Sequence, residues 1–355
     1  MHVLAKCIPS QGGARAAVSL KGTRGIARDS IEVTLKDGQG RSITYLRLSL
    51  TDRCNFRCDY CSASDYEDPA RVLTRSEIRR LVGIFARMGV RRVRLTGGEP
   101  TLRKDVIDIA ADVGGTPGIE EVAITTNGHR LAELAGPLRA AGVSCVNVSL
   151  DTLREDRLLA ISGRGARLKS VLDGIDAAAS AAFEHLKINC VVMRGLNEEE
   201  LGDLVRYAWS RGASPRFIEL MPFGKGVPVS TARVKHLLAA QGVALDPCAK
   251  VGWGPAHYMR GRDGHATHYV GFIGAMTENF CERCNRARLT ADGGFQACLG
   301  GESREPLGAL MRTGASDELI ETRIRAALAR KAPRHHMEEV REGLVQLLPM
   351  MGIGG

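Results

Sequence analysis

The chain has 355 residues and a formal net charge of +9 at pH 7, from 49 Lys and Arg against 40 Asp and Glu. Its 44% hydrophobic and 25% charged residues are typical of an ordinary globular protein and exclude a disordered or collagen-like chain. Only 5% of the residues are aromatic and no run approaches the ~20 apolar residues that span a bilayer, so we expect neither nucleic-acid binding on an aromatic platform nor a membrane-embedded function.

The chain opens with a segment, residues 1–41, that we predict to be a basic, flexible leader. Up to Asp29 it holds no acidic residue, and its basic residues are Lys6, Arg15, Lys21, Arg24 and Arg28. Organellar transit peptides and disordered leaders share this bias. We therefore expect a cytoplasmic protein, or one of an organellar matrix if the leader is a transit peptide.

From residue 42 onwards, short β-rich runs alternate with amphipathic segments, a pattern typical of βα units around a parallel sheet. Helices are predicted at two segments that begin with capping-type residues: Arg75–Met88 after Thr74, and Glu198–Arg211 after Asn197. We expect residues 42–225 to form six βα units, that is, an incomplete (β/α)6 barrel of the TIM type with an open side. The predicted strands are Ile43–Leu50, Arg92–Thr96, Val122–Thr126, Val146–Leu150, Leu186–Val192 and Arg216–Leu220.

The loops after these strands hold the unusual residues of the chain. A parallel sheet places its working groups on loops at the carboxyl ends of its strands. We therefore predict one functional face, built from a cysteine group, Gly97-Gly98-Glu99-Pro100, Thr125-Thr126-Asn127-Gly128, Ser149-Leu150-Asp151 and Glu219-Leu220-Met221.

Residues 226–355 are predicted to form a second domain that closes the open side of the barrel. Residues 224–270 are rich in Gly, Pro and His and have weak periodicity, which indicates a linker and the start of the second unit. Two strands, Arg286–Thr290 and Phe295–Leu299, flank a Gly-containing turn and predict a β-hairpin. A helix over Asp317–Lys331 precedes a tail that ends in Gly354-Gly355.

Six of the ten cysteines fall in two groups of three, Cys54, Cys58 and Cys61, and Cys281, Cys284 and Cys298. Three thiolates can hold three corners of an iron–sulfur cube and leave the fourth iron open, whereas a closed zinc site takes four ligands. For the second group, zinc bound with a histidine from the same region is an alternative, and the candidates are His257, His265 and His268.

The C-x3-C-x2-C loop, with Tyr60 before its third cysteine, resembles the radical S-adenosylmethionine (SAM) superfamily, and so does Gly97-Gly98-Glu99-Pro100. From about residue 42 to the end, the chain resembles one family of that superfamily, the GTP 3′,8-cyclases. The segments that carry this resemblance are Arg47–Arg53, Arg94–Pro100, Phe217–Pro222, Cys284–Gly293 and Gly354-Gly355.

The resemblance implies two 4Fe-4S clusters, SAM as cofactor and GTP as substrate. It implies that a 5′-deoxyadenosyl radical takes the hydrogen from C3′ of GTP and that C3′ then attacks C8 of guanine. The product would be (8S)-3′,8-cyclo-7,8-dihydroguanosine 5′-triphosphate, the first intermediate of molybdenum cofactor biosynthesis. The implied partners are a flavodoxin- or ferredoxin-like electron donor and the cyclic pyranopterin monophosphate synthase that consumes the product. The sequence leaves the oligomeric state open, a homodimer included.

The resemblance also implies a role for individual residues. The ligands of the first cluster would be Cys54, Cys58 and Cys61, and those of the second Cys281, Cys284 and Cys298. The SAM contacts would be Tyr60, Gly98, Ser149 and Met221. The GTP contacts would be Arg47, Arg94, Thr125, Lys187, Arg286, Ala287 and Arg288. The catalytic residues would be Arg286, Arg288, Gly354 and Gly355.

Two other functions are compatible with parts of this pattern. A radical SAM enzyme that modifies peptides would share both cysteine groups, although such enzymes usually carry more than three cysteines in the C-terminal region. A non-catalytic iron–sulfur or zinc protein, such as a redox sensor, would explain the cysteines but not the Gly-Gly-Glu-Pro segment.

Overall fold

The computed structural model describes residues 34–61, 68–163, 165–252, 254–301, 304–335 and 337, all within one unit that spans Val33–Gly355. Residues 34–41, which we expected in a flexible leader, are part of this unit. Leu35 is fully buried there, and Asp37 accepts hydrogen bonds from the backbone and side chain of Arg41. The leader prediction was therefore too long at its C-terminal end, and its other residues lie outside the described ones.

Strands and helices alternate as far as residue 219. The strands are β1 (Tyr45–Ser49), β2 (Arg92–Thr96), β3 (Glu121–Thr126), β4 (Val143–Ser149), β5 (His185–Val192), β6 (Ser214–Glu219), β7 (Leu245–Val251), β8 (His257–Asp263), β9 (Ala266–Ile273), β10 (Arg286–Leu289), β11 (Gly294–Gln296) and β12 (Glu305–Pro306). The helices are α1 (Arg75–Arg87), α2 (Val106–Gly114), α3 (Leu131–Ala140), α4 (Glu155–Ser162), α5 (Leu168–Ser180), α6 (Leu201–Ser210), α7 (Thr231–Ala240), α8 (Leu307–Arg312) and α9 (Asp317–Ala329).

All these strands join one sheet in the order β12-β11-β10-β1-β2-β3-β4-β5-β6-β9-β8-β7. Strands β1 to β6 are parallel and follow chain order, as predicted, and the sheet is not closed into a barrel. The C-terminal residues extend the sheet at both edges, because β10 pairs in parallel with β1 and β9 pairs in parallel with β6. The prediction of an incomplete barrel with a C-terminal addition is confirmed.

Hydrophobic patterning and helix capping explain helix α1 and the strand that follows it, β2. Every residue of β2 is buried, as expected for a strand that is covered on both faces. Helix α1 begins with the predicted capping box, in which the Thr74 side chain accepts from the Glu77 backbone and the Glu77 carboxylate accepts from the Thr74 backbone. Its buried face includes Ile78 and Phe85, which join the core beneath the sheet.

The second capping prediction was wrong. The segment begins with a short 3-10 turn, Glu198–Glu200, and α6 follows it. The Asn197 side chain accepts a hydrogen bond from the Met193 backbone and donates to the carbonyl of Asp151, and Glu200 accepts from Thr152. These tertiary hydrogen bonds use the side chains that would otherwise have capped the helix.

For residues 224–270 the linker part of the prediction was wrong, because α7, β7, β8 and most of β9 lie there. Strands β7 and β8 mix polar and apolar residues without a clear alternation, and the short apolar stretch at the end of β9 is interrupted by Gly271. The predicted hairpin is confirmed as β10 paired antiparallel with β11. None of the helices in the described part of the chain has the length and apolar character needed to cross a membrane.

Candidate functional site

Strands β1 to β6 and the C-terminal residues surround one cavity of about 320 Å³. Its wall includes all six grouped cysteines. It also includes each residue that the sequence assigned to SAM or GTP except Ala287, whose side chain is buried in the hydrophobic core on the other face of β10. Gly354 and Gly355 lie outside the described residues. The single predicted face is thus one cavity with a cysteine group on either side of its basic wall.

The loop of the first cysteine group packs directly against the Gly-Gly-Glu-Pro segment. The backbone amide of Gly98 donates to the carbonyl of Thr51 at 2.7 Å, and that of Glu99 donates to the carbonyl of Arg53 at 2.8 Å. A Cβ at Gly98 would collide with the Arg53 oxygen, and Gly97 has a φ of +139°. Gly98 is therefore required for the close approach of the two segments, and Gly97 for its backbone conformation.

Glu99 ties this segment to the loop after β3. Its buried carboxylate accepts hydrogen bonds from the backbone and hydroxyl of Thr101, from the Thr126 hydroxyl at 2.7 Å and from the Asn127 amide at 2.7 Å. Burial raises the pKa of Glu99 although these hydrogen bonds favour its ionised form. The Asn127 side chain in turn donates to Asn55 in the cysteine loop at 2.8 Å. Three loops are thereby held in one arrangement around the first group of thiols.

Burial disfavours the thiolate form of the first cysteine group. Burial raises the pKa of Cys58 and of Cys61 to about 12, and it also raises the pKa of Cys54. Iron binds the thiolate, so loading of this loop must release protons.

Asp151, after β4, is a site residue that the sequence placed on the functional face without a role. Its buried carboxylate accepts from the Tyr60 hydroxyl at 2.7 Å and from the Val191 amide at 2.8 Å. Burial raises the pKa of Asp151 to about 6, despite those two hydrogen bonds. Asp151 therefore fixes Tyr60, the aromatic residue of the cysteine motif.

We expect Asp151→Asn to change how stability depends on pH. Because the Asp151 pKa is about 3.8 when unfolded and about 6 when folded, the folded state binds the proton more tightly and loses stability as pH rises. The asparagine variant has no such loss, so it should gain about 1 kcal/mol relative to the parent between pH 5 and pH 7.5. Urea unfolding of the cluster-free protein at both pH values measures this; an equal difference at the two values would contradict it.

A row of three arginines lines the cavity. Arg288 on β10, Arg47 on β1 and Arg94 on β2 are register partners on adjacent strands, and we call them the arginine row. Burial and then the neighbouring arginines hold the pKa of Arg47 well below its usual value, and burial followed by Arg286 lowers that of Arg288 to about 10. These three arginines lie within the strands and not on the loops after them. They can still line the cavity, because every second residue of a strand faces the same side of the sheet.

Two further cations line the same wall. Lys187 on β5 was predicted, and burial lowers its pKa. Arg216 on β6 was missed, and it donates to Asn189 at 2.8 Å and to Asn147. The sequence did contain a signal for Arg216, because it is a charged residue at the start of a predicted buried strand. Because guanidinium and ammonium groups bind phosphate oxygens, this wall suits a polyanion.

Two members of the second cysteine group, Cys281 and Cys284, lie at the end of the loop between β9 and β10, and Cys298 follows β11. The Glu219 carboxylate, at the end of β6, accepts from the amides of Met276 and Thr277 at 2.9 Å and so fixes the start of that loop. Burial raises the pKa of Cys281. Burial acts in the same direction on Cys284, but the charges of Arg286 and Lys331 outweigh it and lower the Cys284 pKa to about 7.

The donor sets fit iron–sulfur cubes. Among the described residues, each group offers three thiols to one cavity. Among the residues that the structure describes, no three or more His, Cys, Asp and Glu side chains are arranged around a single-ion site. A cube binds its cysteines at three different irons, so the thiols need not converge on one point.

Comparison with known proteins adds independent information. The family model of the radical SAM superfamily matches residues 48–208, and the model named Molybdenum Cofactor Synthesis C matches residues 213–337. The crystal structure of Streptococcus suis SuiB bound to S-adenosylmethionine is similar, with a TM-score of 0.58 over 81% of this chain and 69% of that one. At 16% identity this likeness concerns the fold alone.

Two relatives cover nearly the whole chain. GTP 3′,8-cyclase 2 of Pseudomonas aeruginosa is 41% identical over 330 residues, which are 90% of this chain and 98% of that protein. GTP 3′,8-cyclase of Pelotomaculum thermopropionicum is 43% identical over 318 residues, which are 86% and 96% of the two chains. The chain therefore belongs to the GTP 3′,8-cyclase family of the radical SAM superfamily.

Proposed function

We propose that this chain is a radical SAM lyase that converts GTP to (8S)-3′,8-cyclo-7,8-dihydroguanosine 5′-triphosphate, the first step of molybdenum cofactor biosynthesis. The single observation that carries the proposal is the cavity, in which two groups of three cysteines flank a wall of buried cations. Family membership supports the same reaction.

When bound, the first 4Fe-4S cluster and SAM supply the radical that takes the C3′ hydrogen of GTP. The chain must hold its reactants still and exclude water from them. Cys54, Cys58 and Cys61 would bind the first cluster. Tyr60, Gly98, Ser149 and Met221, which lie around it in the cavity wall, would contact SAM.

GTP would lie between the two cysteine groups. The arginine row, Arg286 and Lys187 would bind its triphosphate, with the Thr125 hydroxyl as a further donor. Cys281, Cys284 and Cys298 would hold the second cluster, whose open iron would face the purine. This orientation brings the ribose towards the first cysteine group, where the hydrogen is taken and C3′ is joined to C8. One further electron and a proton complete the product.

A peptide-modifying reaction is less well supported. The second cysteine group has three members rather than more, and Arg286 and Arg288 place positive charge where a triphosphate would lie. The reaction also implies two protein partners. A low-potential flavodoxin- or ferredoxin-like donor would supply electrons, and a cyclic pyranopterin monophosphate synthase would take the product. We infer a cytoplasmic enzyme and leave its assembly, as monomer or homodimer, to direct measurement.

The direct test is an anaerobic assay of iron-reconstituted protein with SAM, a strong reductant and GTP, scored by mass spectrometry. We expect a rearranged nucleotide only when GTP is present, together with 5′-deoxyadenosine well above the slow background that forms without GTP. Guanosine is the matched control: it lacks the triphosphate that the cationic wall would bind, so it should give little of either product. Deoxyadenosine without nucleotide change would favour a peptide substrate, and neither product from fully loaded protein would favour a non-catalytic function.

We expect deletion of Gly354-Gly355 to abolish turnover while both clusters still assemble. In the family this pair reaches into the active site, where residues without side chains can pass close to the substrate. The last described residues, His335 and Met337, line the cavity, so the chain approaches it before the tail begins. Product formation and iron content of the truncated protein should be measured together. Normal turnover would refute the role of the tail, and replacing both glycines by alanine separates length from close packing.

A further inference from the structure

Beneath the second cysteine group lies a buried polar network that the proposed reaction does not use. The Lys331 ammonium, at the end of α9, has a side chain that is 1% exposed. It donates to the carbonyl of Arg286 at 2.8 Å and lies 3.7 Å from the sulfur of Cys284, within hydrogen-bonding distance for sulfur. A buried ammonium thus faces a residue that would bind the second cluster.

Asp37 faces this ammonium and is itself held by Arg41. Asp37 has a fully buried carboxylate that lies 3.9 Å from the Lys331 ammonium and 2.7 Å from the guanidinium of Arg41. Arg41 itself donates to the carbonyl of Cys281 at 2.9 Å and to the carbonyls of Ala332 and Pro333 at 2.9 and 2.8 Å. The segment before β1 and the segment after α9 are therefore tied to the same cysteine loop.

We infer that Lys331 is a positioning residue that hydrogen-bonds the Cys284 ligand of the second cluster and raises the reduction potential of that cluster. Asp37, which Arg41 holds in place, orients it from behind. The physical reason is electrostatic: reduction adds negative charge to a cluster and its thiolates, and a buried ammonium nearby stabilises that charge. Hydrogen bonds to ligand sulfur act in the same direction. The inference rests on the second cluster of the proposed function but not on GTP chemistry.

The experiment is a redox titration followed by electron paramagnetic resonance. In the full chain carrying Cys54→Ala, Cys58→Ala and Cys61→Ala, only the second cluster contributes a signal. Lys331→Met removes the charge and the donor at similar length, and Lys331→Arg keeps both. The control is Lys169→Met, the same substitution at an exposed lysine paired with Asp173 on the surface of α5.

We expect Lys331→Met to shift the midpoint potential of the second cluster to more negative values by several times the measurement error. Lys331→Arg and Lys169→Met should match the parent. Should Lys331→Met lose the cluster while Lys331→Arg retains it at the parental potential, the charged hydrogen bond is again the cause and the inference holds. Loss of the cluster in both variants would mean that Lys331 only fills space, which overturns it.

Two outcomes separate this inference from the proposed function. In the first outcome, the chain with the three alanine substitutions loads the second cluster, and its Lys331→Met variant loads the same amount of iron. If the two proteins then have the same midpoint potential, the inference alone fails. If the parent assembles no second cluster under conditions that fill the first cluster in the native chain, the proposed function fails, and the inference with it.

Discussion

Replacing Cys58 by alanine is expected to reduce 5′-deoxyadenosine formation to background. Cys58 lies in the loop that is hydrogen-bonded to the Gly-Gly-Glu-Pro segment, and its thiol reaches Ser162 at 3.4 Å. Two remaining cysteines cannot hold the cube with a single open iron, so SAM would lose both its anchor and its electron source. The measurement is deoxyadenosine per chain, together with iron content.

Cys284→Ala is expected to behave differently, and the contrast is the informative result. The hydrogen bonds that organise the first group run through Glu99, Asn127 and Asp151 and include no residue of the second group. The variant should therefore lose about half of its iron and all cyclised nucleotide, yet still cleave SAM slowly without GTP dependence. Cys248→Ala, on β7 outside both groups, is the control and should keep full activity. Equal loss of SAM cleavage in Cys58→Ala and Cys284→Ala would contradict two separate roles.

Replacing Arg288 by methionine should weaken GTP binding while stabilising the free protein. Arg288 lies opposite Arg47 in the sheet, and like charges at directly opposed positions destabilise paired strands. Burial and Arg286 lower the Arg288 pKa to about 10, so the charged form is held at a cost. Removing it should raise the free energy of unfolding by about 2 kcal/mol. If Arg288 pairs with phosphate as proposed, loss of its buried charge should raise the Kd for GTP on the order of 10²-fold.

Calorimetric titration with GTP and urea unfolding of the same preparation measure the two effects. Arg330→Met is the matched control, because Arg330 pairs with Glu305 at an exposed position. It should change neither the affinity nor the stability by more than about 0.5 kcal/mol. An Arg288→Met protein that binds GTP normally would show that the arginine row is not a substrate site, and one that is less stable than the parent would show that the charge of Arg288 is not held at a cost.

The parts of the site that could be predicted from sequence are those encoded within short loops. The first cysteine spacing, the glycines of Gly-Gly-Glu-Pro and the capping box of α1 each depend on residues a few positions apart. Their chemistry leaves few alternatives: Gly98, for example, has no room for a side chain. The order of the parallel strands was equally accessible, because it follows the order of the βα units along the chain.

The rest depends on pairing between distant segments. Arg288 becomes a neighbour of Arg47 only because β10 lies beside β1, and no local pattern indicates this. From the sequence, Lys331 was predicted as the end of an amphipathic helix and Asp37 as part of a leader. In the structure the two side chains lie close together near the second cysteine group. Strands β7 to β9 were missed because β7 and β8 show no clear alternation and a glycine interrupts the short apolar stretch of β9.

The position of β1 between β2 and β10 has a consequence for how the protein matures. While the chain is being synthesised, β1 can pair with β2 early, but its other edge stays open until residues 286–289 have emerged. Such distant pairing slows folding, and an open strand edge invites association with other chains. The loop of the first cysteine group can thus be ready for iron well before the second group exists. Cluster insertion should follow the same order, and slower translation or lower growth temperature should favour complete iron loading.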